Sequence, residues 1–198
     1  MSAVLQPQYA DEDEPLFPDA AAALKFLTRV QYENFERSVL ADLASGPRPF
    51  GRGLGGLEGA GTAGLIGAQL ATLPQLHRRI LLAKYAPRAS ECECGRACCQ
   101  GWKANAHWLI EVAWVSATVW LELQMPLLKD KQKIKDAMVV RYFGNRDKKN
   151  MEELAKAAGV HRNTLSEYNN QLVTLLKKEE KAAYGAIEER LISAGLVG

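Results

Sequence analysis

Apolar positions recur along this chain mostly at the spacing of an α-helix. From Ala20 to about Leu43, Leu24, Leu27, Phe35 and Leu43 supply apolar faces; Asp19 stands where an N-cap belongs, and Ser45-Gly46-Pro47 stops the run. Leu65 to Tyr85 reads as helix, bent or restarted at Pro74 and closed by Pro87. A further helix is expected from about Asn105 to Leu123, ended by Met125-Pro126. In it Trp108, Trp114 and Trp120 point three ways, the pattern of a helix buried on all sides. Residues 129 to 143 form a basic helix with Ile134, Met138 and Val139 inward, broken at Gly144-Asn145. Two more helices follow from Met151, the second running to about Lys178, and a separate last helix spans about Glu180 to Ser193. The fold class these segments predict is all-α: a helical bundle with a cysteine-rich loop and a C-terminal helix-turn-helix.

The helix pair at Met151 to Tyr168, MEELAKAAGVHRNTLSEY, is the most constrained stretch. Ala155 is small where the second helix must cross closely, and Gly159 can take the positive φ of a sharp turn. Val160, Leu165 and Tyr168 face a small core. His161, Arg162, Asn163, Ser166, Glu167 and Asn170 remain on the polar side, where a helix-turn-helix presents its second helix to the DNA major groove. An αα-hairpin that binds nothing satisfies the same apolar pattern. Lys148 and Lys149, just before the pair, and Lys131, Lys133 and Lys135 before them, are candidates for phosphate contacts; a solvated basic face is the alternative.

Charge sharpens the division of the chain. The net charge of its 198 residues is only +2, but residues 1–20 carry −5, residues 21–125 +3, residues 126–178 +6 and residues 179–198 −2. The positive excess thus falls on the segment with the helix pair. Three parts are expected: an acidic, proline-bearing flexible tail (1–19), a helical scaffold or partner domain (20–125), and a helix-turn-helix DNA-binding domain (126–198). The scaffold contains a glycine-rich loop at 46–64. Its Gly51–Gly56 run matches G-x-G-x-x-G, but no strand precedes it and no Lys-Ser/Thr pair follows, so it reads as a linker. Arg48 and Arg52 give that loop a means of touching nucleic acid or a partner.

All four cysteines lie within eight residues, Cys92, Cys94, Cys98 and Cys99. Four thiolates on a loop suit tetrahedral Zn²⁺, with His107 able to replace one of them. The C-x-C-x₃-C-C spacing is not a standard zinc pattern, and a packed or free thiol cluster is the other reading. No C-x-x-C is present for thioredoxin-like chemistry. The longest apolar run, Trp108 to Leu123, is interrupted by Glu111, Ser116, Thr118 and Glu122, so no membrane partner is expected. Neither is an enzyme: the chain lacks a nucleophile elbow, H-E-x-x-H and a phosphate loop, and its three histidines are far apart in sequence.

The phrases LPQLHRRILLAKY and IKDAMVVRYFG…MEELAKAAGVHRNTLSEYNNQL resemble the helix-turn-helix regions of sigma factors that bind the −35 element. The wider layout over residues 48–198 joins a glycine-rich loop, a helix ending in YAPR, a C-x-C-x₃-C-C-x-G-W segment, a tryptophan helix and a C-terminal helix-turn-helix. It resembles prophage DNA-binding regulators, in particular Q-type late transcription antitermination proteins of phages and their bacterial relatives of the AlpA type. The resemblance implies a protein of the bacterial cytoplasm, associated with the nucleoid. Its partners would be double-stranded DNA and RNA polymerase, with no small-molecule substrate, and it would make polymerase resistant to terminators. A prophage repressor or activator acting at initiation only, or a packaging protein with a DNA-binding end, would share the helix pair.

Overall fold

The computed structural model describes residues 15–33, 56–92, 94, 101–123, 125–144 and 151–198. Most of the acidic tail, positions 34–43 of the first expected helix, the glycine-rich stretch 46–55, Cys98, Cys99, Lys148 and Lys149 lie outside them. The described residues are predominantly helical, in agreement with the all-α class. Helix α1 spans Ala20–Glu33, α2 Gly56–Ala71, α3 Gln75–Tyr85 and α4 Ala106–Glu122. After a 3₁₀ turn at Pro126–Leu128 come α5 Gln132–Gly144, α6 Met151–Ala158 and α7 Arg162–Ser193. Asp19 caps α1 by accepting from the amide of Ala22 at 2.6 Å. Asn105, itself buried, caps α4 by accepting from the amides of His107 and Trp108.

Three elements differ from their sequence reading. The helix expected from Leu65 begins at Gly56, inside the expected glycine loop. Glycine disfavours a helix by about 1 kcal/mol per residue, but Ala63, Ile66 and Leu70 are buried with Leu24 and Leu27 of α1, and this burial overrides propensity. The cysteine segment is framed by a short antiparallel hairpin, β1 Ala89–Glu91 against β2 Trp102–Ala104, with Ser90 opposite Lys103. The expected break near Lys178 is absent: α7 is one helix of 32 residues. Its apolar stripe lapses at Glu179-Glu180 because these carboxylates face inward to partners. Glu179 pairs with His77 at 3.1 Å; Glu180 pairs with Lys84 at 3.1 Å and accepts from the Tyr142 hydroxyl at 2.7 Å.

Two apolar cores lie on either side of this polar clamp. The first gathers Ile80, Trp108, Val112, Val119, Met138 and Phe143 with Leu154, Leu165, Leu172 and Leu176. The second gathers Phe17, α1 and α2 with Leu81, Leu82, Ala183, Ile187 and Leu191. Helices α3 and α7 contribute to both, so the cores do not divide the molecule at residue 125. Within the first core the Trp108 indole donates to the carbonyl of Ala83 at 2.9 Å. Arg88, from the YAPR phrase, donates to the carbonyl of Gly144 at 2.7 Å and so caps the C-terminal end of α5. At the other end of the molecule Phe17 forms an isolated parallel bridge with Val197.

Candidate nucleic-acid interface

The connection between α6 and α7 is built by three local devices. Gly159 has φ +60°, in the left-handed region. Its amide donates to the carbonyl of Lys156 and that of Val160 to the carbonyl of Ala155, both at 3.1 Å. This pair of bonds is a Schellman closure of α6. The Lys131 ammonium donates to the carbonyl of Ala158, placing a cation on the negative end of α6. His161 then caps α7, its Nδ1 accepting from the amide of Asn163 at 3.3 Å. That geometry requires a lone pair on Nδ1 and hence the ring proton on Nε2.

Beneath the connection Leu154, Ala155, Ala158 and Leu165 are buried, with Val160 and Tyr168 packed against them. The first turn of α7 therefore stands out from the protein surface. His161, Arg162, Asn163, Glu167 and Asn170 are exposed and Ser166 half-buried. Asn163, Glu167, Asn170 and Thr174 follow one another at helical spacing opposite Leu165 and Leu172, while Arg162 and Ser166 flank that row. Glu167, Asn170 and Thr174 also line a shallow groove whose far wall is Leu123, at the end of α4. The described residues expected to read DNA are thus brought to one outward side of α7.

The flanking lysines divide. Lys133 is exposed, as a phosphate contact must be. Lys131 is committed to the Ala158 carbonyl, and Lys135 donates to the carbonyl of Lys129 at 3.1 Å and lies 5.8 Å from the centre of the Trp120 ring. Sequence spacing alone could not separate these roles, because all three are lysines at alternate positions in one basic run. His161 was also legible only as a polar residue; its capping role depends on the backbone turn before it.

The hairpin brings the start and end of the cysteine segment together, with the Cys92 amide donating to the carbonyl of Gly101 at 2.8 Å. Cys92 is half-buried and Cys94 exposed. The ring of His107 stacks on Tyr32 with centroids 5.0 Å apart. Among the described residues no group of three or more His, Cys, Asp or Glu is assembled to hold a metal. Nor, among them, is any helix long and apolar enough to cross a membrane. No protein-family model, curated protein or solved structure matches the chain.

Proposed function

We propose that the protein is a sequence-specific DNA-binding transcription regulator that reads the major groove with the first turns of α7. The observation that carries this reading is the exposed row beginning at Asn163 and flanked by Arg162, set by a glycine-dependent turn over a closed apolar core. Arg suits guanine and Asn suits adenine, each through two hydrogen bonds to a base edge. Glu167, one turn further on, is an acceptor suited to the amino group of cytosine. The exposed Lys133, Lys156 and Arg162 supply positive charge for the DNA backbone, joined in this proposal by Lys148 and Lys149. In the wider proposal RNA polymerase is the protein partner and terminator readthrough the outcome. The regulator then works by binding, with no bond made or broken. The proposal also includes Zn²⁺ held by Cys92, Cys94, Cys98 and Cys99 as a clip on the hairpin, supported by the strand pairing that closes the base of that segment.

The test is selection of a binding sequence from random duplexes, followed by affinity measurement. Arg162→Ala or Asn163→Ala should weaken binding to the selected sequence by about 1–3 kcal/mol, roughly 5- to 150-fold. Equal affinity of wild type and both variants removes α7 from the interface. Transcription in vitro across a terminator, on DNA carrying the selected sequence, separates the modes. Increased readthrough supports antitermination, and altered initiation alone supports a repressor or activator.

A further inference from the structure

Helix α4 is turned opposite to the usual way. Its one charged residue before Glu122 is Glu111, and that side chain is buried, paired with Arg79 at 2.7 Å. Its exposed positions are Ala106, His107, Leu109, Ile110, Ala113, Ala117, Leu121 and Glu122; at helical spacing Ala106, Leu109, Ile110, Ala113, Ala117 and Leu121 form one outward stripe, with His107 and Glu122 outside it. Leu109 is 43% exposed, Ile110 58% and Leu121 86%; Trp102, on the hairpin strand just before α4, is 58% exposed. Leu109, Ile110 and Leu121 together expose on the order of a few hundred Å² of apolar surface, the size of the largest patch on a typical monomer, which is often functional. The sequence reading of this helix as buried on every side is corrected here: among the described residues, nothing covers this face.

We propose that the outward face of α4 is a self-association surface, on which the α4 of a second copy of this chain docks antiparallel. Charge is the first argument. The face is uncharged through its whole length, while 24% of the chain is charged, so its match must be an equally uncharged surface. Symmetry is the second. Leu109 and Leu121 are each six residues from Val115, and Ala113 and Ala117 are each two residues from it. An antiparallel two-fold pair centred at Val115 therefore sets Leu109 against Leu121 of the second copy at both ends. It brings Ala113 opposite Ala117 in the middle, where small side chains let two helix axes approach to about 8 Å. Such an isologous contact closes at two chains. Among the described side chains of α2, Leu65 is the one large exposed apolar one. Pairing α4 with α2 would be heterologous and open-ended.

The contact does not depend on DNA, so it is tested without DNA, by sedimentation equilibrium of the full chain. Wild type should weigh twice its 21.8 kDa chain mass. Ala113→Glu and Ala117→Lys, each at an exposed position, should each reduce it to a single chain mass while leaving the circular dichroism spectrum and melting temperature of the folded chain intact. Mixing the two variants should restore the double mass, because the carboxylate introduced in one chain then faces the ammonium introduced in the other. A wild type that is a single chain, or that grows beyond two, overturns the proposal. Variants that remain dimeric, or a mixture that stays monomeric, overturn it as well. So does loss of fold in either variant, which would mean that residues of the same chain already cover the face.

Discussion

Gly159 is the residue on which the α6–α7 geometry turns. Its φ of +60° is a conformation that costs an L-residue roughly 1–2 kcal/mol. A Cβ there would meet nothing closer than the Lys131 ammonium at 3.7 Å, so the penalty of a substitution is conformational rather than steric. Gly159→Ala should therefore lower unfolding free energy by about 1 kcal/mol in denaturant titration. DNA affinity should fall further than stability alone explains, since the first turn of α7 takes its direction from this residue. A variant with wild-type stability would show that the backbone at 159 relaxes freely. Lys131 and His161 act on the same few atoms from either side, one on the last carbonyl of α6 and the other on an early amide of α7. In sequence both stood among the DNA-contacting candidates, because polarity is visible in a string of residues and the direction of a donor is not.

The seven described helices were legible where apolar spacing, caps and breakers agreed. Asp19, Asn105 and Gly159 mark ends that the structure keeps, and Leu154, Leu165, Met138 and Val139 are buried as their spacing required. Legibility failed where a partner from elsewhere in the fold altered the meaning of a local pattern. Glycines at the start of α2 read as loop until α1 is there to bury Ala63 and Ile66. Glu179-Glu180 read as an interruption until His77, Lys84 and Tyr142 meet them. Three tryptophans on α4 read as all-round burial, yet Ile110 and Leu121 face outward. The exposed polar positions of α7 were legible from their spacing, whereas the groove wall at Leu123 was not, since it comes from a distant element. The continuity of α7 carries its own prediction. Gly185 lies inside this helix with space around its missing Cβ. Gly185→Ala should stabilise the protein by about 0.5–1 kcal/mol, seen as a higher melting temperature. A lower one would mean that α7 is discontinuous there.

At the scale of the molecule, two cores share α3 and α7, and three half-buried phenols lie at their seams. Burial pushes Tyr32 up to about 12, with the Glu111 charge adding to it. Burial likewise pushes Tyr85 up to about 12, with Tyr184 and Glu180 reinforcing it. Tyr142 is raised further still, by burial and by its hydrogen bond to Glu180. An unfolded chain gives up these protons near pH 10, while the folded chain holds them. Between those values the folded state binds more protons, so their contribution is intact below about pH 10 and is lost as pH rises through the folded values. The melting temperature should accordingly decline above about pH 10, less steeply in Tyr142→Phe; a decline of equal slope would exclude Tyr142 as a source. The clamp at Glu179 and Glu180 has a mechanical side as well. It grips α7 about 26 Å from Arg162, at 1.5 Å per residue. A tilt of about five degrees about that fulcrum would swing the tip by about 2 Å, enough to break any hydrogen bond to a base edge. The aim of the tip thus depends on both ends: on the Gly159 turn beside it, and at a distance on His77, Lys84 and Tyr142, which hold Glu179 and Glu180.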